Sequence, residues 1–371
     1  MMSPVPQDLP ISIPGSIPFF TVLLVVGFVL HIVFVLLTVS GAVMSVVTEA
    51  VGHAKKDGRY LELAQRVLTA TSVNKSLAVV LGVAPLLLVG VLYTRFFYPP
   101  TVILGGTWLS VIWLLILGFL LLYAYKFSWE RLQARPGVHL LLGVLGTIPF
   151  LVVPMIFVVV MGLMRRPDLW MQTHSFVQAM FYPTVWPRYL HFMAATAVFG
   201  GLLPIWIAWR QERKASREKG GVTWTSPEAS VAGSETAAAA EAQTGGGLEG
   251  ALDSRWATGY GLRWTGVALL IEVVLGLVVL FTMPASVRGH FLGGSAFSTL
   301  GFAVGAVAVA AALGVVYVAR RHLDPGRVLR NLGIALFVVV LAMATVRLQI
   351  RDVEIAPYTA ASEPSGQTAG P

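Results

Sequence analysis

The chain has 371 residues, of which 56% are hydrophobic and 12% are charged, and its mean hydropathy is +0.76. This composition is typical of an integral membrane protein and excludes a water-soluble globular enzyme. The chain contains no cysteine, which excludes disulfides and iron–sulfur ligation within it. Its formal net charge of +8 comes mostly from loops between apolar segments, so it is not evidence for nucleic-acid binding.

Eight segments are long and apolar enough to cross a hydrocarbon core of about 30 Å, which takes roughly 20 helical residues. They lack the alternating pattern of barrel strands, so we predict helices. The predicted fold class is all-α, an integral membrane bundle of eight transmembrane helices. The predicted spans are 19–47, 74–96, 102–124, 138–162, 188–209, 263–283, 297–318 and 331–348.

The loops fall into two sets that differ in basic charge. Those rich in Lys and Arg are 48–73, 125–137, 210–262 and 319–330. Those with few are 1–18, 97–101, 163–187, 284–296 and 349–371. Because basic loops stay cytoplasmic, we expect a multi-pass protein of a bacterial-type cytoplasmic membrane with both termini on the non-cytoplasmic side. The proline-rich start lacks the features of a cleaved signal peptide, so the first helix is expected to be retained.

A long interruption divides the spans into two unequal groups. Its Gly-rich and Ala-rich stretches leave nothing to build a core, and about 222–252 is predicted to be disordered. The predicted parts are an outer N-terminal segment (1–18), a five-helix half (19–209), a cytoplasmic and largely disordered linker (210–262), a three-helix half (263–348) and an outer C-terminal tail (349–371).

Two histidines lie inside predicted spans, in or near the outer half of the membrane. His31 lies near mid-membrane in the first span, and His191 lies in the first turns of the fifth. An imidazole in hydrocarbon is costly, and the usual reasons for one are a metal ligand or a proton or ion path. The alternatives are a core histidine bonded to a helix carbonyl for His31 and an interfacial histidine in an aromatic belt for His191.

Other ionisable residues have less distinctive positions. His53, His139 and His322 lie in or next to basic loops, where a solvated or headgroup-facing role is expected. Glu272 is the acidic residue well inside a predicted span, and its position in the sequence suggests the cytoplasmic half. It either pairs with a basic residue such as Lys75 or serves a proton path.

The sequence resembles subunit I of the cytochrome bd quinol oxidases in three places. Residues 30–41 of the first span resemble part of that subunit's first helix, in which a haem-ligating His precedes a Phe-x-x-Leu-Thr-x-Gly-like run. The stretch from Trp170-Met171-Gln172 through Arg188-Tyr189-Leu190-His191 resembles its approach to a second haem-ligating His. The run Ser72-Val73-Asn74-Lys75 is also similar. The resemblance covers roughly the first 210 residues and implies a haem core with two haem b groups, whose irons are bound by His31 and His191.

The resemblance leaves the second iron ligands open. The family's last core helix carries a Glu ligand, and at the nearest counterpart here Met343 would replace it as the partner of His31. Otherwise Met343 is a core methionine. For His191 the family's Met partner is missing, and we rank His290 first, with Met283 or His174 as alternatives.

The chain departs from the family at the oxygen-reducing site. In the family, that haem pocket carries Glu residues in the second and third helices, whereas 74–96 and 102–124 contain no Asp or Glu. The resemblance therefore does not carry oxygen reduction over to this chain.

A quinol site is the least defined expectation. The loop 284–296 is much shorter than the element with which the family binds quinol. A pocket for quinol or menaquinol is expected where Trp170, His174, Trp186 and Arg188 gather at the outer interface. The alternative is an aromatic anchor belt.

These observations favour a haem b electron-transfer subunit within a hetero-oligomeric, quinol-linked oxidoreductase complex. It would pass electrons between the quinol pool and an outer-face partner, either a c-type cytochrome or an iron–sulfur subunit. One alternative is a terminal quinol oxidase subunit of the bd type. A second is a membrane transporter, although the inverted repeats and broken helices usual for that class are not evident in the sequence.

Overall fold

The computed structural model describes residues 5–6, 13, 15–220, 252–321 and 324–360, and within these ranges it is helical without strands. All eight predicted membrane helices are present, which confirms the all-α bundle. The helices are α1 (Ile17–Lys55), α2 (Gly58–Leu92), α3 (Thr94–Ile103), α4 (Gly105–Phe127), α5 (Pro136–Leu163), α6 (Phe176–Met180), α7 (Val185–Gly200), α8 (Leu202–Gly220), α9 (Ser254–Thr282), α10 (Ala285–Gly289), α11 (Ala296–Ala319) and α12 (Pro325–Ala360).

Several helices extend beyond the predicted spans. α2 begins at Gly58 rather than near 74, and α12 continues to Ala360, so 349–360 is helix and not tail. Both flanks of the predicted linker, 210–220 and 254–262, are helical as well. Hydropathy marks only the part of a helix that crosses hydrocarbon, so its polar continuation was missed. The predicted disorder at 222–252 and the end of the tail, 361–371, lie outside the described residues, apart from Leu252.

The bundle has two ends, which we name by their composition. The terminal face is the end at which α1 begins and α12 finishes. The basic face is the opposite end, and it carries the α1–α2 turn, the α4–α5 connection and the ends of α8 and α11. Every membrane helix runs from one face to the other, so depth can be counted in residues from either end.

A tight turn joins α1 and α2 at the basic face. Lys56 adopts a left-handed conformation (φ 54°, ψ 39°), and its N–H closes the last turn of α1. Asp57 then caps α2 by accepting the N–H of Arg59 at 3.0 Å. The two helices pack along most of their length, and Gly41 makes this possible because a Cβ there would lie 3.1 Å from the Cβ of Thr71.

The fifth membrane crossing consists of α7 and α8, which meet at Gly201 against α9. A Cβ on Gly201 would lie 2.4 Å from the carbonyl oxygen of Gly261 and 2.1 Å from Oγ1 of Thr265. The hydroxyl of Thr265 donates to the carbonyl of Val198 at 3.1 Å. Gly201 therefore serves the close approach of two helices.

Candidate functional site

A cavity of about 440 Å³ lies between six of the membrane helices. Its walls come from α1, α2, α4, α5 and α12, with Phe192 of α7 at one side. Most of the lining is aliphatic or aromatic, and the polar exceptions include His31, Lys75, Arg347 and Arg351. An apolar cavity with a few convergent polar groups is the usual form of a cofactor site.

His31 is held in the cavity wall in a defined orientation. Its Nδ1 lies 2.8 Å from the carbonyl oxygen of Ala78. Because a carbonyl only accepts, Nδ1 carries the proton and the lone pair of Nε2 is free for a metal. Gly82 leaves room for this ring, because a Cβ at that position would lie 2.7 Å from Cε1 of His31.

Two arginines of α12 mark the end of the cavity nearer the terminal face. Arg351 is 8% exposed, and its Nη1 is buried without a hydrogen-bond partner. Arg347 lies over the ring of Phe28, 5.0 Å from its centre. The carboxylate nearby, Glu354, is engaged by Arg165 at 2.8 Å and by Arg188 at 3.3 Å. Arg351 thus leaves a cationic hydrogen-bond donor available to an anion.

Tyr93 closes this end from the α2–α3 junction. Its hydroxyl donates to Oδ1 of Asp352 at 2.6 Å, and its ring faces the guanidinium of Arg351 at 4.6 Å. Tyr93 thus joins the end of α2 to α12 at this end of the cavity.

Lys75 marks the opposite end of the cavity, nearer the basic face. It is 1% exposed, donates to the carbonyl of Ser72 at 2.7 Å and lies 3.8 Å from the ring centre of Tyr123. Lys126 also reaches Ser72, donating to its Oγ at 3.0 Å. None of the described residues that line the cavity is acidic, so the charged side chains of its lining are all basic.

His191 lies outside this cavity and faces α9. Its Nδ1 is 3.2 Å from Oε1 of Glu272, and Gly276 lies beside its ring. Because α9 runs from Ser254 to Thr282, Glu272 is ten residues from the terminal face and eighteen from the basic face. The predicted pairing of Glu272 with Lys75 is wrong, because Glu272 contacts His191 and Lys75 contacts Ser72 and Tyr123.

The two candidate ligands lie at different depths. His31 is 14 residues from the start of α1, and His191 is six from the start of α7. At 1.5 Å per residue the difference is roughly 12 Å along the bundle. Each histidine therefore has its own surroundings, and a single iron would not join them.

The structure does not bring the expected second iron ligands close to His31 or His191. Met343 is absent from the cavity lining, and its methyl lies against Gly305 of α11, where a Cβ would be 3.1 Å away. This contradicts its pairing with His31. Nδ1 of His290 lies 2.9 Å from the carbonyl oxygen of Ser286 within its own loop. His174 is exposed in the 164–184 loop.

The residues predicted to form a quinol pocket have separate partners instead. Trp170 is buried and donates to the carbonyl of Leu163 at 2.8 Å. Arg188 is bound to Glu354 of α12. Trp186 is exposed, with its ring edge-on to Tyr189 at 5.9 Å. Their side chains act as local anchors, and a common slot is not evident from these contacts.

One buried cluster contradicts the prediction made for His139. The side chain is 3% exposed, and it lies near the basic face against Glu49 of α1 and Tyr125 of α4. Nδ1 of His139 is 2.7 Å from Oε1 of Glu49, and the hydroxyl of Tyr125 donates to the other carboxylate oxygen. This cluster was not predictable from the sequence, because Glu49 lies two residues beyond a predicted span and its partners belong to other helices.

Two comparisons with known proteins give a match, one to a family and one to a fold. The model for "Cytochrome bd terminal oxidase subunit I" matches residues 22–244, which is more than half of the chain. Among solved structures, the bd oxidase from Geobacillus thermodenitrificans matches with a TM-score of 0.65 and 15% sequence identity. That match covers 93% of this chain and 90% of the other. A search of curated proteins finds no match.

Proposed function

The chain belongs to the cytochrome bd terminal oxidase subunit I family, and we propose that it is the haem-carrying membrane subunit of a bd-type quinol oxidase complex. The single observation that carries this proposal is the cavity at His31. It combines an oriented imidazole with a buried, unpaired arginine donor in an otherwise apolar space. These are the groups that a porphyrin with an iron and anionic propionates requires.

The residues present fit a haem b at His31. Nε2 of His31 would ligate the iron, and the contact of Nδ1 with the carbonyl of Ala78 would hold the ring in place. Arg351 and Arg347 would bind the propionates at the end nearer the terminal face. The aliphatic walls would exclude water. When bound, the haem iron would take up and release one electron at a time.

We also propose a second haem b at His191. Its buried nitrogen is Nδ1, and the side chain is 28% exposed, so Nε2 is the nitrogen available to a metal. A groove of about 420 Å³ between α7 and α9 lies next to this site, lined from Ala194 onward, and does not include His191 itself. The second iron ligand is unassigned at either site. His290 and His174 would need to move from their loops to supply it.

A second candidate function is electron transfer without oxygen reduction. The specific observation in its favour is that no acidic side chain lines the described cavity. Proton-consuming chemistry beside the haem needs a group that delivers protons, and a carboxylate is the usual one. On this reading the protein links the quinol or menaquinol pool to another electron carrier.

The partners follow from the complex. The family description names a subunit I, and we propose a hetero-oligomer with at least one further subunit. The c-type cytochrome or iron–sulfur partner at the outer face is a hypothesis from the sequence that the family match does not support.

We also propose that the terminal face is the non-cytoplasmic side. Because the native chain has no Cys, Asp57→Cys should label only from the cytoplasm and Asp168→Cys only from outside.

Visible spectroscopy tests the proposal. Protein purified after haem-replete expression should show a b-type reduced-minus-oxidised spectrum. His31→Ala and His191→Ala should each remove a different haem, while His53→Ala, at an exposed site, should change nothing. Loss of the same haem in both variants would refute the two-site arrangement. A lack of any b-type signal would contradict the haem-carrying function and favour the alternative that the protein is a membrane transporter. Quinol-dependent oxygen consumption by the whole complex then separates the oxidase from the electron-transfer candidate.

A further inference from the structure

We propose that Lys75 is the fixed positive charge that raises the reduction potential of the haem at His31. The inference rests on the proposed function, since it concerns the haem bound in that cavity. It assigns a role to a residue that acts on the iron through its electric field and not through a bond. Because the expected ion pair with Glu272 is not formed, the burial of this lysine calls for another explanation.

Lys75 is a buried cation without a counter-ion. It is 1% exposed, and its Nζ donates to the carbonyl of Ser72 at 2.7 Å. The rings of Tyr123 and Phe119 flank the ammonium, with their centres 3.8 and 5.2 Å away. In the described part of the chain, no carboxylate lies within ion-pair distance of it. An uncompensated charge in hydrocarbon is costly, so a functional gain is expected to retain it.

The position of Lys75 relative to His31 is fixed by α2. Lys75 precedes Ala78, whose carbonyl orients His31, by three residues or about 4.5 Å along the helix. Asn74 holds this part of α2 against α1 by donating to the carbonyl of Phe34 at 2.9 Å. Lys75 and His31 line the same cavity. The charge therefore acts on the iron through a largely apolar space, where screening is weak.

The charges at the other end of the cavity balance those of the haem itself. A haem carries two propionates, and Arg347 and Arg351 are the two cations of the lining at that end. The nearby carboxylate of Glu354 is already engaged by two other arginines. The charge of Lys75 therefore remains uncompensated beside the bound haem. A positive charge favours the reduced iron, because reduction lowers the charge of the iron.

Redox titration of the purified, haem-loaded protein tests this proposal. Lys75→Met should shift the oxidation equilibrium of the His31 haem about tenfold toward the oxidised form, a fall of about 59 mV for one electron. Lys75→Arg keeps the charge and should keep most of the wild-type potential. Lys126→Met is the matched control. Lys126 is half-buried and donates to Oγ of Ser72 at 3.0 Å, but it does not line the cavity, so its removal should shift the potential much less.

Unfolding of the same variants in one detergent gives a second measurement. Because Met removes an unpaired charge from hydrocarbon, Lys75→Met should fold and be at least as stable as wild type. A role of Lys75 in packing alone predicts the opposite result, a loss of stability with an unchanged potential. That result would overturn the proposal.

The outcomes also separate this proposal from the proposed function. If His31→Ala leaves the haem content unchanged, the haem site itself is wrong. If that haem is lost in His31→Ala but its potential is equal in wild type and Lys75→Met, the role of Lys75 is wrong. An equal fall in Lys75→Arg would overturn it as well, because charge would not be the cause. Should Lys75→Met lose the haem, Lys75→Gln decides by the same titration, and loss of the haem in both would show that Lys75 holds the haem and does not tune it.

Discussion

The imidazole of His139 and the carboxylate of Glu49 share a buried hydrogen bond in which Nδ1 lies 2.7 Å from Oε1. Nε2 of the same ring lies 3.0 Å from the carbonyl oxygen of Tyr125, which can only accept. One proton must therefore sit on Nε2 and another between Nδ1 and Oε1. The pair joins α1, α4 and α5 near the basic face, and removal of either partner leaves the other buried with one hydrogen bond missing.

We predict that His139→Leu destabilises the protein by about 3–5 kcal/mol, the cost of an unpaired buried charge. His53→Leu is the matched control, because His53 is 36% exposed and contacts the same carboxylate at 3.5 Å. It should cost less than about 0.5 kcal/mol. Unfolding followed by tryptophan fluorescence in one detergent measures both. The double variant Glu49→Leu/His139→Leu should recover part of the loss, and simple additivity would show that the pair is not coupled.

A second prediction concerns Gly82, which makes room for the ring of His31. Gly82→Ala would place a Cβ 2.7 Å from Cε1 of His31 and force the ring away from Ala78. We expect haem affinity at this site to fall roughly tenfold or more, as for other losses of support to a metal-bound histidine. Gly90→Ala on the same helix meets its nearest neighbour at 3.5 Å and should bind haem normally. Haem titration into apoprotein measures both, and equal affinity would contradict the proposed orientation of His31.

A third prediction tests whether Arg351 binds propionates. Arg351→Gln should weaken haem binding at the His31 site roughly tenfold to a hundredfold, the range for a hydrogen bond to a charged group. The dimethyl ester of haem, which lacks the propionate charges, should bind wild type and variant alike. Arg321→Gln, an exposed arginine on the basic face, is the control. An equal loss with the ester would mean that Arg351 shapes the cavity without binding an anion.

A fourth prediction concerns the contact of Gly201 with α9. Gly201→Ala would bring a Cβ within 2.4 Å of a backbone oxygen, which cannot move aside as a flexible side chain can. We expect a loss of about 1–3 kcal/mol in unfolding free energy. Gly314→Ala on α11 faces open space and should be neutral or stabilising by about 0.5–1 kcal/mol. Thermal unfolding of the two variants in parallel measures both effects. Equal shifts of the two unfolding midpoints would contradict the close contact at Gly201.

A fifth prediction concerns pH and the 164–184 loop. Arg166 donates to Asp168 at 2.6 Å, and this hydrogen bond lowers the pKa of the carboxyl, with Tyr358 of α12 as a further donor at 2.8 Å. Because the folded pKa is below the unfolded value of about 3.9, the stabilisation is present above that pH and is lost as pH falls through the folded pKa. Protection of this loop from hydrogen exchange should exceed that in Asp168→Asn at pH 7. The difference should vanish well below pH 4, and a constant difference would exclude the ionised carboxylate as its source.

Candidate residues that stand out within a single helix could be predicted from the sequence. Contacts that depend on how two helices face each other could not. His31 was conspicuous because an imidazole in an apolar run needs a reason. The prediction for Met343 was wrong because α12 is apolar on most sides. The sequence therefore did not indicate which face of this helix is directed toward the cavity. The cavity face carries Ala344, Arg347 and Arg351, roughly a quarter turn away from Met343. Glu272 and His139 contact residues on other helices. The spacing of residues within one segment does not predict such contacts.

The hairpin of α1 and α2 extends farther than a bilayer requires. With 39 residues, α1 measures about 58 Å, against a hydrocarbon core of about 30 Å. Its last turns, ending at Lys55, therefore stand in water, braced by the packing of Tyr60 and Arg59 on Trp256. The same unbroken helix carries His31 about 36 Å away. The tip outside the bilayer and the imidazole inside it are therefore parts of one continuous helix.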